Sequence, residues 1–253
     1  MTECLAVWYD QLGELLGGDP FQMSLEYVGT FAGAISGVRL ASAKRFDWFG
    51  AYVIGFVTAL GGGTLRDLLM NLTPFWMTGP SYIVTTFLAL VSISLFGRRF
   101  ITEKVTWFIF DTISISLFTV FGVEKALSYG FAPWCAVMMG VITAVFGGIV
   151  RDIMLNEVPL IFRKEIYAMA CFAGGVLYVI LDAFHSSPRI SATLCVALIF
   201  LVRALAIHYK LTIPVLKGRN AISNWRHHHD HHHDHHHHDP HHDSIDSAAP
   251  AKP

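Results

Sequence analysis

Charged residues are scarce in this sequence. Only 15% of its 253 residues are Asp, Glu, Lys or Arg, whereas 53% are hydrophobic and the mean hydropathy is +0.48. Soluble domains carry about 25% charged residues, so the shortage argues against an ordinary soluble protein. The formal net charge is −1, so the sequence also lacks the strong excess of basic residues that a nucleic-acid-binding protein needs.

Cysteine is also scarce, and its spacing carries no metal or disulfide signature. Cys4, Cys135, Cys171 and Cys195 each stand alone, without a CxxC pair. Disulfide frameworks and zinc ribbons are read from regular or paired spacings, so the sequence predicts neither. No nucleophile–base pair stands out along the chain, and we predict neither enzymatic activity nor a cofactor.

Long apolar stretches are what the sequence does contain. A helix that spans a bilayer needs about 20 mostly apolar residues. The sequence predicts an all-α integral membrane protein with seven transmembrane helices. We number them 1 to 7 and place them at residues 24–42, 48–71, 80–98, 105–123, 132–155, 165–183 and 189–208.

Basic residues alternate between the two ends of the predicted helices. The odd-numbered loops and residues 210–226 after the last helix hold 11 Lys and Arg residues, whereas the even-numbered loops hold two and the N-terminal segment holds none. Cytoplasmic loops of membrane proteins are enriched in Lys and Arg. We therefore predict an external N-terminus and a cytoplasmic C-terminus, in the plasma or inner membrane of the cell and among its lipids.

The chain contains an internal repeat with a constant offset between its two copies. Residues 26–82 align without gaps to residues 111–167, and 15 of the 57 positions are identical. The matches concentrate in GGGTLRDLLMNLTP at 61–74 and FGGIVRDIMLNEVP at 146–159. Each copy holds three helices, so the second copy enters the membrane from the opposite side. A 3+3 inverted repeat of this kind points to a transport pathway at the repeat interface, and a tightly packed bundle without a pathway is the alternative.

These features divide the chain into five segments. They are an extracytoplasmic N-terminal segment, a first three-helix repeat, a second and inverted repeat, a seventh helix outside the repeat, and a His-rich cytoplasmic tail predicted to be disordered. Their predicted bounds are 1–23, 24–104, 105–188, 189–209 and 210–253.

Glycines interrupt helices 2 and 5 at matching positions. Each glycine costs about 1 kcal/mol relative to alanine in a helix, so these groups are expected to bend or open the helices. Freed carbonyls could then replace part of a cation's hydration shell. The positions are Gly61, Gly62 and Gly63 in helix 2, and Gly147 and Gly148 in helix 5, where Phe146 replaces the first glycine.

Thr58 and Thr143 lie one turn before these glycines. Their hydroxyls could line a pore or bond back to their own helix. An arginine and an aspartate follow each glycine group, and ionisable residues inside a membrane are costly and usually functional. The positions are Arg66 and Asp67 in helix 2, and Arg151 and Asp152 in helix 5.

Adjacent residues of a helix point about 100° apart. Each Arg–Asp pair is therefore not expected to close on itself. We expect each arginine to reach the other repeat, backbone carbonyls or a bound anion. The alternative is that the side chains lie at helix ends and extend to water.

Three further charged residues are candidates for ion binding or gating. Glu26 and Asp111 begin helices 1 and 4, where an acid suits the helix dipole, so capping and ion coordination both stay open. Lys125 lies near a helix end, as does Arg203. Such positions are more typical of interface anchors than of ligands.

The sequence resembles the prokaryotic branch of the TRIC family, the trimeric intracellular cation channels. The features that carry the resemblance are the two GGxxRD phrases, the inverted repeat and the lone seventh helix. This branch is also labelled a glycine-transporter domain family. The resemblance covers about residues 24–208. It implies a homotrimer with a pore in each protomer, lined by kinked helices 2 and 5. Animal members carry a lysine motif that binds phosphoinositide, and only Arg66 and Arg151 stand at the comparable place here.

Two functions follow from the resemblance and stay open. One is a passive channel for monovalent cations, mainly K⁺, which needs a continuous wet path. The other is a secondary transporter of a small amino acid such as glycine, which alternates access to a central site. We favour the channel because of the glycine motifs and the resemblance.

A histidine tract follows the last helix. Residues 227–242 read HHHDHHHDHHHHDPHH, and imidazole suits Zn, Cu and Ni. A solvated tail with incidental metal affinity is the simpler interpretation, which leaves a metal-ion transporter as a minor alternative. The first candidate ligands are His227, His228, His229, His231, His232 and His233.

Overall fold

The computed structural model describes residues 20–101, 104–162, 166–209 and 211, without the side chains of residues 96–106. Within these ranges the chain forms seven α-helices, which confirms the all-helical prediction. Short 3₁₀ turns lie at Phe75–Met77 and Leu160–Phe162. The helices are α1 (Pro20–Ala43), α2 (Trp48–Leu69), α3 (Ser81–Ile101), α4 (Lys104–Ser128), α5 (Pro133–Met154), α6 (Ala168–Ala183) and α7 (Pro188–His208).

The helices differ in how well they suit a membrane. Among the described residues, α2, α4 from Trp107 onward, α5 and α7 are long and apolar enough to cross one. Residues Ser81–Leu95 of α3 and the whole of α6 are apolar but shorter. Large apolar side chains such as Phe87 and Leu95 are exposed on α3, as suits a helix in contact with lipid. That all seven helices cross the membrane stays a prediction.

Helix pairing follows the sequence repeat. Helix α1 packs on α2 as α4 packs on α5, and α2 with α5 and α1 with α4 form the contacts between the two copies. Helices α3 and α6 pack on their own copies, and α7 packs on α4 and α6. The glycines of the two phrases, which are in α2 and α5, therefore meet in the middle of the bundle.

Helices α2 and α5 end in the same way. Asn71 and Asn156 have positive φ angles of 56° and 55°. In the first copy the Leu72 N–H donates to the Asp67 carbonyl at 2.8 Å, and in the second Glu157 donates to Asp152 at 2.8 Å. This is a left-handed helix cap. The helices thus end at these caps, before Pro74 and Pro159.

Replacing Asn156 by valine is expected to destabilise the protein by about 2 kcal/mol, because a β-branched residue strongly resists the left-handed conformation. Thermal unfolding of the purified protein in detergent measures the loss. Asn156→Gly is the control, since glycine adopts this conformation freely. An Asn156→Val protein as stable as the glycine variant would contradict the expectation.

Candidate functional site

Helices α2 and α5 cross in direct backbone contact at their glycines. A Cβ atom on Gly62 would lie 1.9 Å from the Thr143 carbonyl oxygen, and one on Gly147 would lie 2.2 Å from the Thr58 carbonyl oxygen. Gly62 comes later in α2 than Thr58, and its partner comes earlier in α5 than Gly147. The two helices therefore run antiparallel, and only glycine permits their approach.

The glycines leave the helices intact. Helix α2 keeps α-helical backbone through residues 61–63, as α5 does through 146–148. Of the two predicted effects, opening of the helices is wrong, because the glycines admit a neighbouring helix while the helical backbone continues. Bending of the helices stays a prediction. The hydroxyls of Thr58 and Thr143 bond back to their own helices, to Ile54 and Met139 carbonyls at 2.6 Å.

The flanking positions of the two phrases differ. Gly61 faces Gly147, with 3.6 Å between its would-be Cβ and the Gly147 Cα, whereas Phe146 is partly buried. Gly63 lies against the ring of Phe75 and Gly148 lies against Tyr167 and Arg151. The contact between α2 and α5 is therefore close and symmetric at Gly62 and Gly147, whereas the neighbouring positions of the two copies have different surroundings.

The first charged cluster lies at the end of α2. Asp67 is fully buried, and its Oδ1 atom accepts from Arg66 Nε at 2.8 Å and from Lys125 Nζ at 2.8 Å. Its Oδ2 accepts from the Phe75 backbone N–H at 2.9 Å. Lys125 comes from α4, so this cluster joins the two sequence copies.

The second charged cluster lies at the end of α5 and includes a residue from α7. Arg151 binds Asp152 through Nε at 2.8 Å and Asp111 through Nη1 at 2.9 Å. It also donates to the Ser36 hydroxyl, on α1, at 3.0 Å. Arg203 of α7 binds the other oxygen of Asp111 at 2.9 Å.

Both Arg–Asp pairs close on themselves, contrary to the prediction. The arginine side chain is long enough for its Nε to reach the carboxylate of the next residue at 2.8 Å in spite of the angular separation of the two residues. The prediction that an arginine reaches the other repeat holds for Arg151, through Ser36. Neither arginine extends to water, since Arg66 is 3% exposed and Arg151 is 0% exposed.

Glu26 and Asp111 do not cap helices. Helix α1 begins at Pro20 and α4 at Lys104, so both acids lie beyond the first turn. Glu26 Oε2 accepts from the Tyr82 hydroxyl at 2.8 Å. The interpretation of Arg203 as an interface anchor is likewise wrong, because Arg203 is buried and paired with Asp111.

Each cluster adjoins a cavity. A cavity of about 460 Å³ beside the first cluster is lined by Glu26, Arg66, Tyr82, Glu124 and Lys125, among others. A cavity of about 630 Å³ adjoins the second cluster.

Six residues of the first cavity have their repeat equivalents in the second. The six equivalent pairs are Gln22 and Trp107, Met23 and Phe108, Arg39 and Glu124, Leu40 and Lys125, Ala43 and Ser128, and Phe75 and Leu160. The two cavities are thus equivalent places in the two copies.

The cavities lie on opposite sides of the glycine crossing. The antiparallel register that pairs Gly62 with Thr143 and Gly147 with Thr58 places Arg151 beside Ile54. Arg66 lies more than three helical turns further along α2, which is about 18 Å at a rise of about 1.5 Å per residue. The two charged clusters therefore flank the crossing from opposite ends.

Sequence reasoning missed several members of these clusters. Tyr82 and Tyr167 are identical positions of the repeat, which could have singled them out. Ser36 has no such signal, because its repeat equivalent is Phe121, and α7 has no equivalent at all. The predicted tail ligands His227 to His233 lie outside the described residues. Among the residues that are described, no group of three or more His, Cys, Asp and Glu could hold a metal ion.

A family profile matches both copies of the repeat. The profile described as "Glycine transporter" matches residues 23–98 and residues 108–183, and the two matches begin at equivalent positions of the copies. The UPF0126 inner membrane protein YadS of Escherichia coli is 39% identical over 193 residues, covering 75% of this chain and 93% of that protein.

Solved structures resemble the whole helical bundle. The TRIC trimeric intracellular cation channel orthologue from Rhodobacter sphaeroides matches with a TM-score of 0.72 at 36% identity, covering 76% of this chain and 99% of that one. Another TRIC cation channel, whose structure addresses conductance, matches with a TM-score of 0.71 at 34% identity and covers 78% of this chain and 98% of that one.

Proposed function

Since the chain belongs to the glycine-transporter (TRIC/UPF0126) family and is a multi-pass membrane protein, we propose that it is a channel that passes monovalent cations, mainly K⁺, across the cell membrane. The observation that carries this proposal is the pair of repeat-related cavities, one on each side of the α2–α5 crossing. A conduction path that joins them would pass the glycines and both charged clusters.

The pore in this proposal lies within one protomer and is lined by α2 and α5. The crossing joins two helices of the same chain in direct contact, which supports one pore for each protomer. The antiparallel crossing supports a 3+3 inverted repeat with α7 outside it. A homotrimer is proposed from likeness to a channel that is named trimeric.

The crossing is the constriction of the proposed path. Backbone contact at Gly62 and Gly147 leaves no room for an ion between the helices, so the structure corresponds to a closed channel. Conduction requires α2 and α5 to slide or separate there. We further propose the orientation given by the basic loops, with the first cluster external and the second cytoplasmic.

A carrier for a small amino acid is the second candidate. The two cavities differ, because Arg66 and Tyr82 line the first whereas their equivalents Arg151 and Tyr167 do not line the second. The arginine of the phrase is thus reached from the cavity at one end and not at the other, and such a difference between the two ends is what alternating access would produce. The family's description as a glycine transporter also favours this candidate.

Planar-bilayer recording of the purified protein separates the two candidates. A cation channel shows unitary currents in KCl, and a KCl gradient moves their reversal potential toward the K⁺ equilibrium potential. Saturable glycine uptake into liposomes without unitary currents would overturn the channel and establish the carrier.

The charge of the first cavity should control the conductance. Lys125→Met leaves excess acid there and is expected to raise the K⁺ conductance roughly twofold at low salt, whereas Glu124→Gln is expected to lower it as much, because local charge sets the local cation concentration. Both effects should fade toward high salt, since the Debye length falls to about 3 Å at about 1 M. Single-channel recording across a series of KCl concentrations, from dilute to about 1 M, measures them.

Asp182→Asn is the control for these two variants. Asp182 lines neither cavity, so removing its charge should leave the conductance unchanged. Equal conductances in Lys125→Met and Glu124→Gln at low salt would mean that ions do not pass this cavity.

A further inference from the structure

Thr30 of α1 carries a deeply buried hydroxyl group. The residue is 0% exposed, and its Oγ1 atom has no hydrogen-bond partner among the described residues. Most buried side-chain polar atoms in proteins are hydrogen-bonded, and one that is not calls for an explanation. Because an unpaired buried hydroxyl is destabilising, packing alone gives no reason for a threonine at this position.

Other buried threonines of the bundle bond to their own helices. Thr58, Thr119 and Thr143 each donate to the carbonyl four residues earlier, at 2.6 or 2.7 Å. This local bond satisfies the hydroxyl without a partner from another helix. Thr30 lacks the corresponding bond to the Glu26 carbonyl, so its hydroxyl is turned away from that carbonyl.

Thr30 lies on the face of α1 that contacts α2. It shares this face with Gly33 and Gly37, since residues three and four positions apart in a helix lie on the same side. A Cβ atom on Gly33 would lie 3.2 Å from the Ala59 Cα, and one on Gly37 would lie 2.9 Å from the Gly55 Cα. The two helices are therefore antiparallel, and four residues forward in α1 correspond to four residues back in α2.

The same register places Thr30 beside the glycine crossing. Three residues before Gly33 the pairing reaches Thr30 and Gly62, and Gly62 is where α2 touches α5. One turn further it brings Glu26 opposite Arg66, and both of these residues line the first cavity. Thr30 thus lies between the first cavity and the constriction of the proposed path.

The second copy of the repeat has an isoleucine at the equivalent position. Ile115 corresponds to Thr30 and is also buried. Helices α4 and α5 have the same register, since a Cβ atom on Gly122 would lie 2.6 Å from the Gly140 Cα, and this register pairs Ile115 with Gly147. An apolar side chain therefore suits this place in the fold, which does not itself require the hydroxyl of Thr30.

We propose that Thr30 Oγ1 coordinates the permeating cation at the constriction, an inference that rests on the proposed channel. In the closed structure the crossing leaves no room for an ion. When α2 and α5 separate, the hydroxyl oxygen faces the opened path and is not committed to another group. A hydroxyl oxygen has lone pairs to offer, and an oxygen that replaces hydration water eases the passage of a cation through a narrow pore.

Thr30→Val removes the hydroxyl and keeps the shape of the side chain. The unitary K⁺ conductance in planar bilayers is expected to fall roughly threefold or more, because the ion then crosses the narrowest part of the path without this oxygen. Thr30→Ser keeps a hydroxyl and should keep most of the conductance. Thr119→Val is the matched control and should conduct like the native protein, because Thr119 lines neither cavity and its hydroxyl is bonded to its own helix.

Thermal unfolding in detergent separates this role from a structural one. Thr30→Val should unfold at the same temperature as the native protein or at a higher one, since it removes an unpaired buried hydroxyl. A lower unfolding temperature would show that the hydroxyl is bonded within the bundle and would overturn the proposal. Native conductance in Thr30→Val would also overturn it and leave the channel established. An absence of currents in the native protein would instead overturn the proposed channel, and this role of Thr30 with it.

Discussion

Gly62→Ala is expected to lose about 3 kcal/mol of stability or more, at the upper end of the cost of overpacking. The added methyl group would lie 1.9 Å from the Thr143 carbonyl oxygen. That oxygen belongs to the backbone of α5, so no rotation of a side chain relieves the clash. The helices must separate, which also breaks the contact between Gly147 and Thr58 on the other side of the crossing.

Gly61→Ala is a matched control from the neighbouring position. Its added methyl group would lie 3.6 Å from the Gly147 Cα, an ordinary contact. Alanine also favours helix over glycine by about 1 kcal/mol, so Gly61→Ala should be as stable as the native protein or more stable. Thermal unfolding in detergent and the yield of folded protein compare the two variants. Equal losses of stability in the two variants would mean that glycine is needed here for its backbone conformation and not for the close approach of the two helices.

The repeat in the sequence identified the residues of the crossing without revealing what they do. Gly62 and Gly147 stand out because they occupy equivalent positions of the two copies, yet helix propensity alone predicts a break in the helix. The actual partner of each glycine is a backbone carbonyl on the equivalent helix of the other copy. No local propensity carries that information, because the requirement for glycine comes from tertiary packing.

The charged clusters are a second case in which the sequence identified residues without identifying their partners. The sequence singled out Arg66, Asp67, Arg151 and Asp152, and all four are buried in ion pairs. It could not assign their further partners, since Lys125 and Arg203 looked like typical helix-end residues. Position near a helix end predicts exposure only when the end is at the surface of the bundle.

The difference between the repeats matters as much as their likeness. The first cluster has one acid, Asp67, bound by two bases, and a second acid, Glu26, bound by a tyrosine. The second cluster joins Asp111 to both Arg151 and Arg203. The seventh helix thus completes the cluster of one repeat only, which accounts for the asymmetry of two otherwise equivalent ends.

Arg203→Met is expected to lose about 3 kcal/mol of stability, because removing one partner of a buried ion pair leaves the other charge uncompensated. Methionine keeps most of the volume, so the loss reports on charge. The variant also removes the guanidinium that lies 4.9 Å from the centre of the Phe108 ring and 4.6 Å from that of Tyr167. Thermal unfolding in detergent measures the change.

Lys125→Met is the matched control from the first cluster. Lys125 is 28% exposed, and Asp67 keeps its bonds to Arg66 and to the Phe75 N–H when the lysine is lost. A partly exposed pair of this kind contributes about 1 kcal/mol or less. Arg203→Met should therefore unfold at a clearly lower temperature than Lys125→Met.

A double variant separates the charge of Arg203 from its packing. Arg203→Met with Asp111→Asn removes both members of the pair, so its loss should be smaller than the sum of the two single losses by about 1 kcal/mol or more, within the range of about 0.5–3 kcal/mol for directly coupled residues. Additive losses would show that Arg203 stabilises the bundle through its aromatic contacts alone. Coupling would establish that α7 is held to the repeat by a buried charge, a contact for which the duplicated sequence offers no counterpart.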